Sequence, residues 1–173
     1  METMMEKRSN DIYELTEEQE RLRDMLREFA DREIAPKAAR YDEANEFPWE
    51  NVTKMRDLGL FGMIFPEEYG GQGLDTLSYV LAVEEISRAC ASTGITLAAH
   101  VSLGTSPIFN FGTDAQKRKY LPALCSGEKL AAFGLTEPEA GSDAGGTKTR
   151  AILEGSHYTV NGRKIYITNG SVC

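Results

Sequence analysis

One stretch of this chain places hydroxyls and carboxylates beside a backbone able to bind an anion. Leu135-Thr136-Glu137-Pro138-Glu139-Ala140-Gly141-Ser142-Asp143 leaves a short apolar run and enters a turn of small residues. Backbone N–H groups around Gly141 and Ser142 can form a concave nest of donors for phosphate, with the Thr136 and Ser142 hydroxyls as further ligands. An ordinary Gly/Ser/Asp loop has the same composition, and such loops are common, so the residues alone favour the loop. Two nucleotide motifs fail on order and spacing. Gly141 to Gly146 has the gap of a P-loop, but Thr147 and Lys148 stand in the reverse of the Lys-then-hydroxyl order, which misplaces both the ammonium and the magnesium ligand. A dinucleotide fold needs G-x-G-x-x-G opening a helix, and neither is present here.

The other reactive residue types read as structural. Cys90, Cys125 and Cys173 lie far apart, form no CxxC pair and have only two histidines to join them, so no metal site is read. Their odd number suits a reducing compartment. His100, on an apolar helix, reads as a hydrogen-bonded core or interface residue, and His157, before a hairpin, as a solvated one. Glu137, Glu139 and Asp143 sit in a polar turn where ordinary ionisation is expected, so none is assigned as a catalytic base. Glu84-Glu85 stands at i,i+4 and i,i+3 from Arg88, a spacing for a surface pair or a buried structural one. With 19 basic and 27 acidic side chains the net charge is −8, which opposes a nucleic-acid binder needing a Lys/Arg field.

These groups require elements to hold them. From Thr16 the spacing predicts a helix: Thr16 caps, Gln19 is its reciprocal partner, and Leu22, Met25, Leu26, Phe29 and Ile34 share a face. Pro36 closes or bends it. Pro48 opens a second helix with Val52 and Met55 on one side and Gly59 at its end. Pro66 to Gly73 is a glycine-rich loop. Asp75 or Thr76 caps a third helix carrying Leu77, Val80, Leu81 and Ile86. Ser92-Thr93 restarts a fourth, apolar on most sides from Ile95 to Leu103 and therefore expected to be buried. Thr113 with Gln116 repeats the capping box ahead of Tyr120, Leu121 and Leu124, and Pro122 shortens that helix.

Residues 1–128 thus read as an all-α domain of five or six helices, supported by 41% apolar content. After Gly127 the period changes. Ala131 to Thr136 is a short apolar run, Thr147 to Leu153 is rich in β-formers, and Tyr158, Val160, Ile165 and Ile167 alternate around Asn161-Gly162, a strong hairpin signal. Residues 129–173 read as the first strands, at most four, of a β-domain, giving an α+β class. So small a sheet leaves its edges open, and the sequence reads as the front part of a longer polypeptide.

Phe133-Gly134-Leu135-Thr136-Glu137-Pro138-Glu139-Ala140-Gly141-Ser142-Asp143 resembles the flavin-binding signature of the acyl-CoA dehydrogenases, and Asn161-Gly162-Arg163-Lys164-Ile165-Tyr166-Ile167-Thr168-Asn169-Gly170 resembles their second one. Pro66-Glu67-Glu68-Tyr69-Gly70-Gly71 and Cys90-Ala91-Ser92-Thr93-Gly94 are similar to the family's helical domain in character and order. The resemblance implies an N-terminal helical domain followed by the start of an antiparallel β-barrel or sandwich domain, stopping before a C-terminal helical bundle. It implies FAD held by Phe133, Leu135, Thr136, Gly141, Ser142, Tyr166, Ile167 and Thr168. Thr136 and Thr168 would offer hydroxyls to the polar edge of the flavin ring, and the Gly141-Ser142 turn would lie near cofactor phosphates. Ser142, Thr96 and Ala99 would meet the acyl-CoA, with small Ala99 leaving depth at the pocket floor. The family usually has Trp where Tyr166 stands, so the aromatic face is kept over a smaller area.

The implied reaction is α,β-dehydrogenation of an acyl-CoA thioester in fatty-acid β-oxidation: an α-proton is removed while hydride leaves Cβ for the flavin. The implied base is a glutamate of the C-terminal domain, outside this chain, which leaves the catalytic set within it empty. The implied acceptor is an electron-transferring flavoprotein and the implied assembly a homotetramer. The run from Cys90 to Ser102 is nearest in flavour to short-chain members. Three alternatives stand beside this: an acyl-CoA oxidase, which lets oxygen reach the reduced flavin; a truncated, non-catalytic module holding acyl-CoA or a partner; and a structural helical protein. Met1 to Leu15 has no apolar signal core, Glu2, Glu6, Asp11 and Glu14 oppose a matrix-targeting peptide, and no apolar run could span a bilayer, so a cytoplasmic chain is expected.

Overall fold

A computed structural model describes residues 14–173, so the reading of Met1 to Tyr13 as free of a targeting signal lies outside the described residues. Among these, the helical part runs as five rods. The first joins α1 (Glu17–Phe29), a π-helical turn (Ala30–Ile34) and α2 (Ala35–Ala44); Pro36 does not close it, because the helix passes from the π-helical turn into α2 with Pro36 in the first turn of α2. The second is α3 (Trp49–Asp57) and the third α4 (Thr76–Ala89). The fourth joins α5 (Ala91–Ala98), a π-helical turn (Ala99–Thr105) and α6 (Ser106–Phe111); the fifth is α7 (Asp114–Cys125).

Local chemistry sets the ends. Thr16 and Thr113 each form a full capping box, with Gln19 and Gln116, and Asp75 caps α4 by accepting from the Ser78 N–H at 2.7 Å. Gln19 also donates to Asp75 at 2.8 Å, so the starts of α1 and α4 are tied together. One apolar core, including Leu26, Ile34, Met55, Phe61, Ile86 and Leu121, joins the rods, and each such side chain contributes about 1.5–3 kcal/mol by leaving water. Glu85 is buried between α1 and α4, bonded to Arg27 at 2.6 Å and Arg88 at 3.1 Å, and Arg88 reaches Asp31 at 2.7 Å. The Arg27 guanidinium, helped by Arg88, holds the Glu85 carboxyl below the ordinary carboxylate range despite burial. Of the two readings of the Glu84-Glu85 pair, the buried structural one therefore holds for Glu85.

Several expectations are corrected. Met25 is exposed, because about 100° of rotation from Leu26 carries it off the packed stripe. Ala91, and not Ser92-Thr93, begins the fourth rod; Thr93 is buried and accepts from Asn51 at 3.1 Å. Ile95 and Leu103 are about half exposed, so the rod they share is not apolar-buried all round. Pro122 does not shorten α7, which continues to Cys125 because Leu121, Leu124 and Cys125 are buried and hold the last turn in place.

The β-part among the described residues is one antiparallel pair, β1 (Arg150–Glu154) and β2 (His157–Asn161), in register from Arg150 opposite Asn161 to Glu154 opposite His157. The turn is Gly155-Ser156, with Gly155 at φ 64, a backbone glycine adopts without a Cβ penalty. Asn161-Gly162 lies at the open end of the hairpin, so the expected turn position is wrong. The β-formers on either side of Gly155 set this register. Ala131 to Thr136, Ile165 and Ile167 are not strands: that part of the chain has no ladder partner and is bonded to side chains and to single backbone groups. No helix of the described residues is long and apolar enough to cross a membrane.

Candidate functional site

A cleft of about 230 Å³ lies where the fourth rod meets the segments on either side of the hairpin. Ala99 and Leu103 form its floor, and Phe133, Leu135, Thr136, Tyr166, Ile167 and Thr168 its walls. Both floor residues come from the π-helical turn, a distortion that re-aims side chains and recurs at functional sites. Leu103 is exposed because it faces this space.

Two polar junctions fix the walls to the floor. His100 is fully buried; its Nδ1 accepts from the Ala131 N–H at 3.0 Å, and its Nε2 lies 3.1 Å from the Leu124 carbonyl, to which it donates. That tautomer is neutral, and burial pushes the imidazole down to about 4 from its ordinary 6.5. Gly104 permits the close approach of the same segment, since a Cβ there would come 2.3 Å from that of Ala131. Asn169 donates to the carbonyls of Thr96, at 3.1 Å, and Ala131, at 3.2 Å, bringing the second wall against the first.

Glu137 departs most from expectation. It is buried, and its carboxylate accepts from Lys164 Nζ at 2.8 Å, from the Thr149 hydroxyl, from the Lys148 N–H at 2.5 Å and from the Thr149 N–H at 3.0 Å. The Lys164 ammonium, then the Thr149 hydroxyl and the Lys148 N–H, hold it down to about 2, far from ordinary ionisation. A carboxylate so satisfied cannot act as a base near neutral pH. No sequence signal distinguishes it from Glu139, whose exposed carboxylate pairs with Lys148.

Six of the residues assigned to a cofactor, Phe133, Leu135, Thr136, Tyr166, Ile167 and Thr168, share this cleft with Ala99. Gly141 and Ser142 do not line it; they stand on an exposed turn between a Glu137–Ala140 bridge and a 3-10 turn at Ala144–Gly146. Thr96 is not among the lining residues: it is 3% exposed, and its hydroxyl donates to the Ser92 carbonyl at 3.0 Å, one turn before the floor residue Ala99. Leu103 was missed, although its i,i+4 spacing from Ala99 signals one helix face. Tyr166 is 88% exposed at φ 57, a left-handed backbone that non-glycine residues adopt when neighbours fix it.

Chemically, the slot offers an aromatic and aliphatic surface with hydroxyl-bearing positions on both walls. This donor set fits a planar heteroaromatic ring with one polar edge. Among the described residues no carboxylate or imidazole lines it, and no group of three His, Cys, Asp or Glu is placed to hold a metal ion.

The family profile described as "Acyl-CoA dehydrogenase, N-terminal domain" matches residues 16–128, and that described as "Acyl-CoA dehydrogenase, middle domain" matches residues 132–173. The chain is 57% identical over 159 residues to the probable acyl-CoA dehydrogenase YngJ of Bacillus subtilis, covering 92% of this chain and 42% of that protein. The butyryl-CoA dehydrogenase structure from Megasphaera elsdenii superposes with a TM-score of 0.87 at 44% identity, over 92% of this chain and 43% of the other. The acyl-CoA dehydrogenase from Bacillus anthracis, solved in complex with FAD, gives 0.85 at 43% identity, over 92% and 28%. The chain therefore spans less than half the length of these relatives.

Proposed function

The chain belongs to the acyl-CoA dehydrogenase family, and from that membership we propose that its cleft is part of the FAD and acyl-CoA site of an FAD-dependent acyl-CoA dehydrogenase acting on a short acyl chain, with the helical domain ending near residue 128. The observation that carries this reading is the convergence of Phe133–Thr136 and Tyr166–Thr168, from two distant motifs, on one slot floored by Ala99 and Leu103. The FAD named with the Bacillus anthracis relative supports the choice of ring.

Phe133, Leu135 and Ile167 exclude water from one side of the ring, and Tyr166 offers an aromatic face. Thr136 and Thr168 hydrogen-bond its polar edge and fix its orientation. Ser142 and Gly141, outside the slot, serve the phosphates of the cofactor or of the acyl-CoA. Ala99 leaves depth for a short acyl chain. When bound, FAD supplies the acceptor for the hydride that leaves the substrate. The base that takes the α-proton is a glutamate outside this chain, since Glu137 is committed to its four donors. An electron-transferring flavoprotein as the acceptor and a homotetramer complete the proposal.

Purified full-length protein should be yellow, and its visible flavin band should bleach on anaerobic addition of butyryl-CoA. A colourless protein that takes up no added FAD would overturn the reading. Stoichiometric peroxide on aerobic turnover would instead assign an oxidase. Residues 1–173 alone should show no turnover, and measurable turnover by them would overturn the placement of the base.

A further inference from the structure

Thr136 and Tyr166 come from separate motifs, yet they line one slot. We propose that Glu137 and Lys164 form a positioning clamp that sets these two walls for the flavin, an inference that rests on the FAD reading of the cleft. Glu137 directly follows Thr136, and Lys164 lies two residues before Tyr166. The Lys164 ammonium donates both to the Glu137 carboxylate at 2.8 Å and to the Leu135 carbonyl at 2.9 Å, so one cation bridges the side chain and the backbone of the first wall. Beside it the Ile165 N–H donates to the Thr136 carbonyl at 2.9 Å.

The carboxylate also takes the backbone N–H groups of Lys148 and Thr149, at the base of the hairpin. Donors from two further segments therefore meet one acceptor-only group that follows the first wall. A neutral side chain of the same shape cannot satisfy them all, because a carboxamide brings a donor of its own. Glu137 is nearly sealed from water, which strengthens these bonds. The clamp also explains how Tyr166 holds its left-handed backbone while its ring is almost wholly exposed: neighbouring residues, and not packing of the ring, fix it. The adjacent Glu139–Lys148 pair is exposed and reaches neither wall, so it provides a control.

The test compares Glu137→Gln, Lys164→Met and their double variant with the unaltered full chain. In cofactor-free protein, hydrogen exchange at the Lys148, Thr149 and Ile165 amides should quicken about tenfold in Glu137→Gln. FAD affinity should fall about tenfold in each single variant, the size of one charge-assisted hydrogen bond. The double variant should lose less than the sum of the two single losses, because both remove the Glu137–Lys164 pair. The absorption band of the FAD still bound should shift in the variants, which a mere drop in folded fraction would not cause. Glu139→Gln should leave affinity and spectrum unchanged. Lys164→Met keeps the side-chain stem and carries the test if Glu137→Gln does not fold. Unchanged exchange, FAD affinity within twofold of the unaltered chain, or simple addition in the double variant would overturn the clamp. Failure of the unaltered chain to take up FAD would overturn the flavin reading itself, a distinguishable result.

Discussion

Leu26, Ile34, Met55 and Phe61 in the helical part have no exposed surface, whereas Ile152, Leu153, Tyr158 and Val160 in the hairpin keep 55–64% of theirs. The helical part is held by apolar burial, with a few polar groups such as Glu85 and His100 fully paired inside it. The segments after residue 130 bury little and are held by polar junctions: His100 to Ala131, Asn169 to Thr96 and Ala131, Glu137 to Lys148, Thr149 and Lys164. The cleft lies on the seam between these regimes. Its floor should respond to changes of volume, and its walls to changes of charge and hydrogen bonding.

The largest expected effect is in the apolar core. Phe61→Ala removes a fully buried ring that packs edge-on against His100 at 4.8 Å, and it should cost about 3–5 kcal/mol in urea unfolding. A cost below about 1 kcal/mol would erase the contrast between the two regions. The His100 junction comes next. Its folded pKa near 4 lies below the ordinary 6.5, so the unfolded chain takes a proton that the folded chain refuses. The stability this group contributes is complete above about pH 6.5 and falls by about 3 kcal/mol as the pH drops towards 4. Urea melts across that window should show the slope, and His100→Gln should flatten it; a flat profile for the unaltered chain would contradict the neutral, doubly bonded imidazole.

On the walls, Tyr166→Gly should raise stability by about 1 kcal/mol by relieving the left-handed backbone while weakening FAD uptake. A destabilised variant would reveal packing that the exposed ring does not suggest. The smallest effect is expected on the hairpin, where Ile152→Thr should stay within about 0.5 kcal/mol. A loss near 2 kcal/mol in thermal or urea unfolding would show that this face is covered in the protein tested.

What residue order determines here depends on the range of the interaction. The boxes at Thr16 and Thr113 are legible in the sequence, and of the two caps open to the third helix Asp75 is the one used, because a cap is satisfied within three residues of itself. Gly155-Ser156 and Asn161-Gly162 are both competent turns, and the β-formers on either side of Gly155 decide for the first. Pro122 was read as a stop on local grounds, whereas burial of Leu121 and Leu124 overrides it. At the cleft, the two motifs contain six lining residues, whereas Thr96, three residues before the turn that supplies the floor, is buried and bonded to its own helix.

Residue order was enough to set where most of the helices begin, that an apolar core exists, and which two motifs carry the cleft-lining side chains, because caps, periodicity and motif spacing act between near neighbours. It could not set the π-helical turn that aims Ala99 and Leu103, the sealed state of Glu137, or the left-handed backbone of Tyr166. Those depend on donors and acceptors that only the folded chain brings within hydrogen-bonding distance: Ala131 to His100, Lys164 and Lys148 to Glu137, and Asn169 to Thr96.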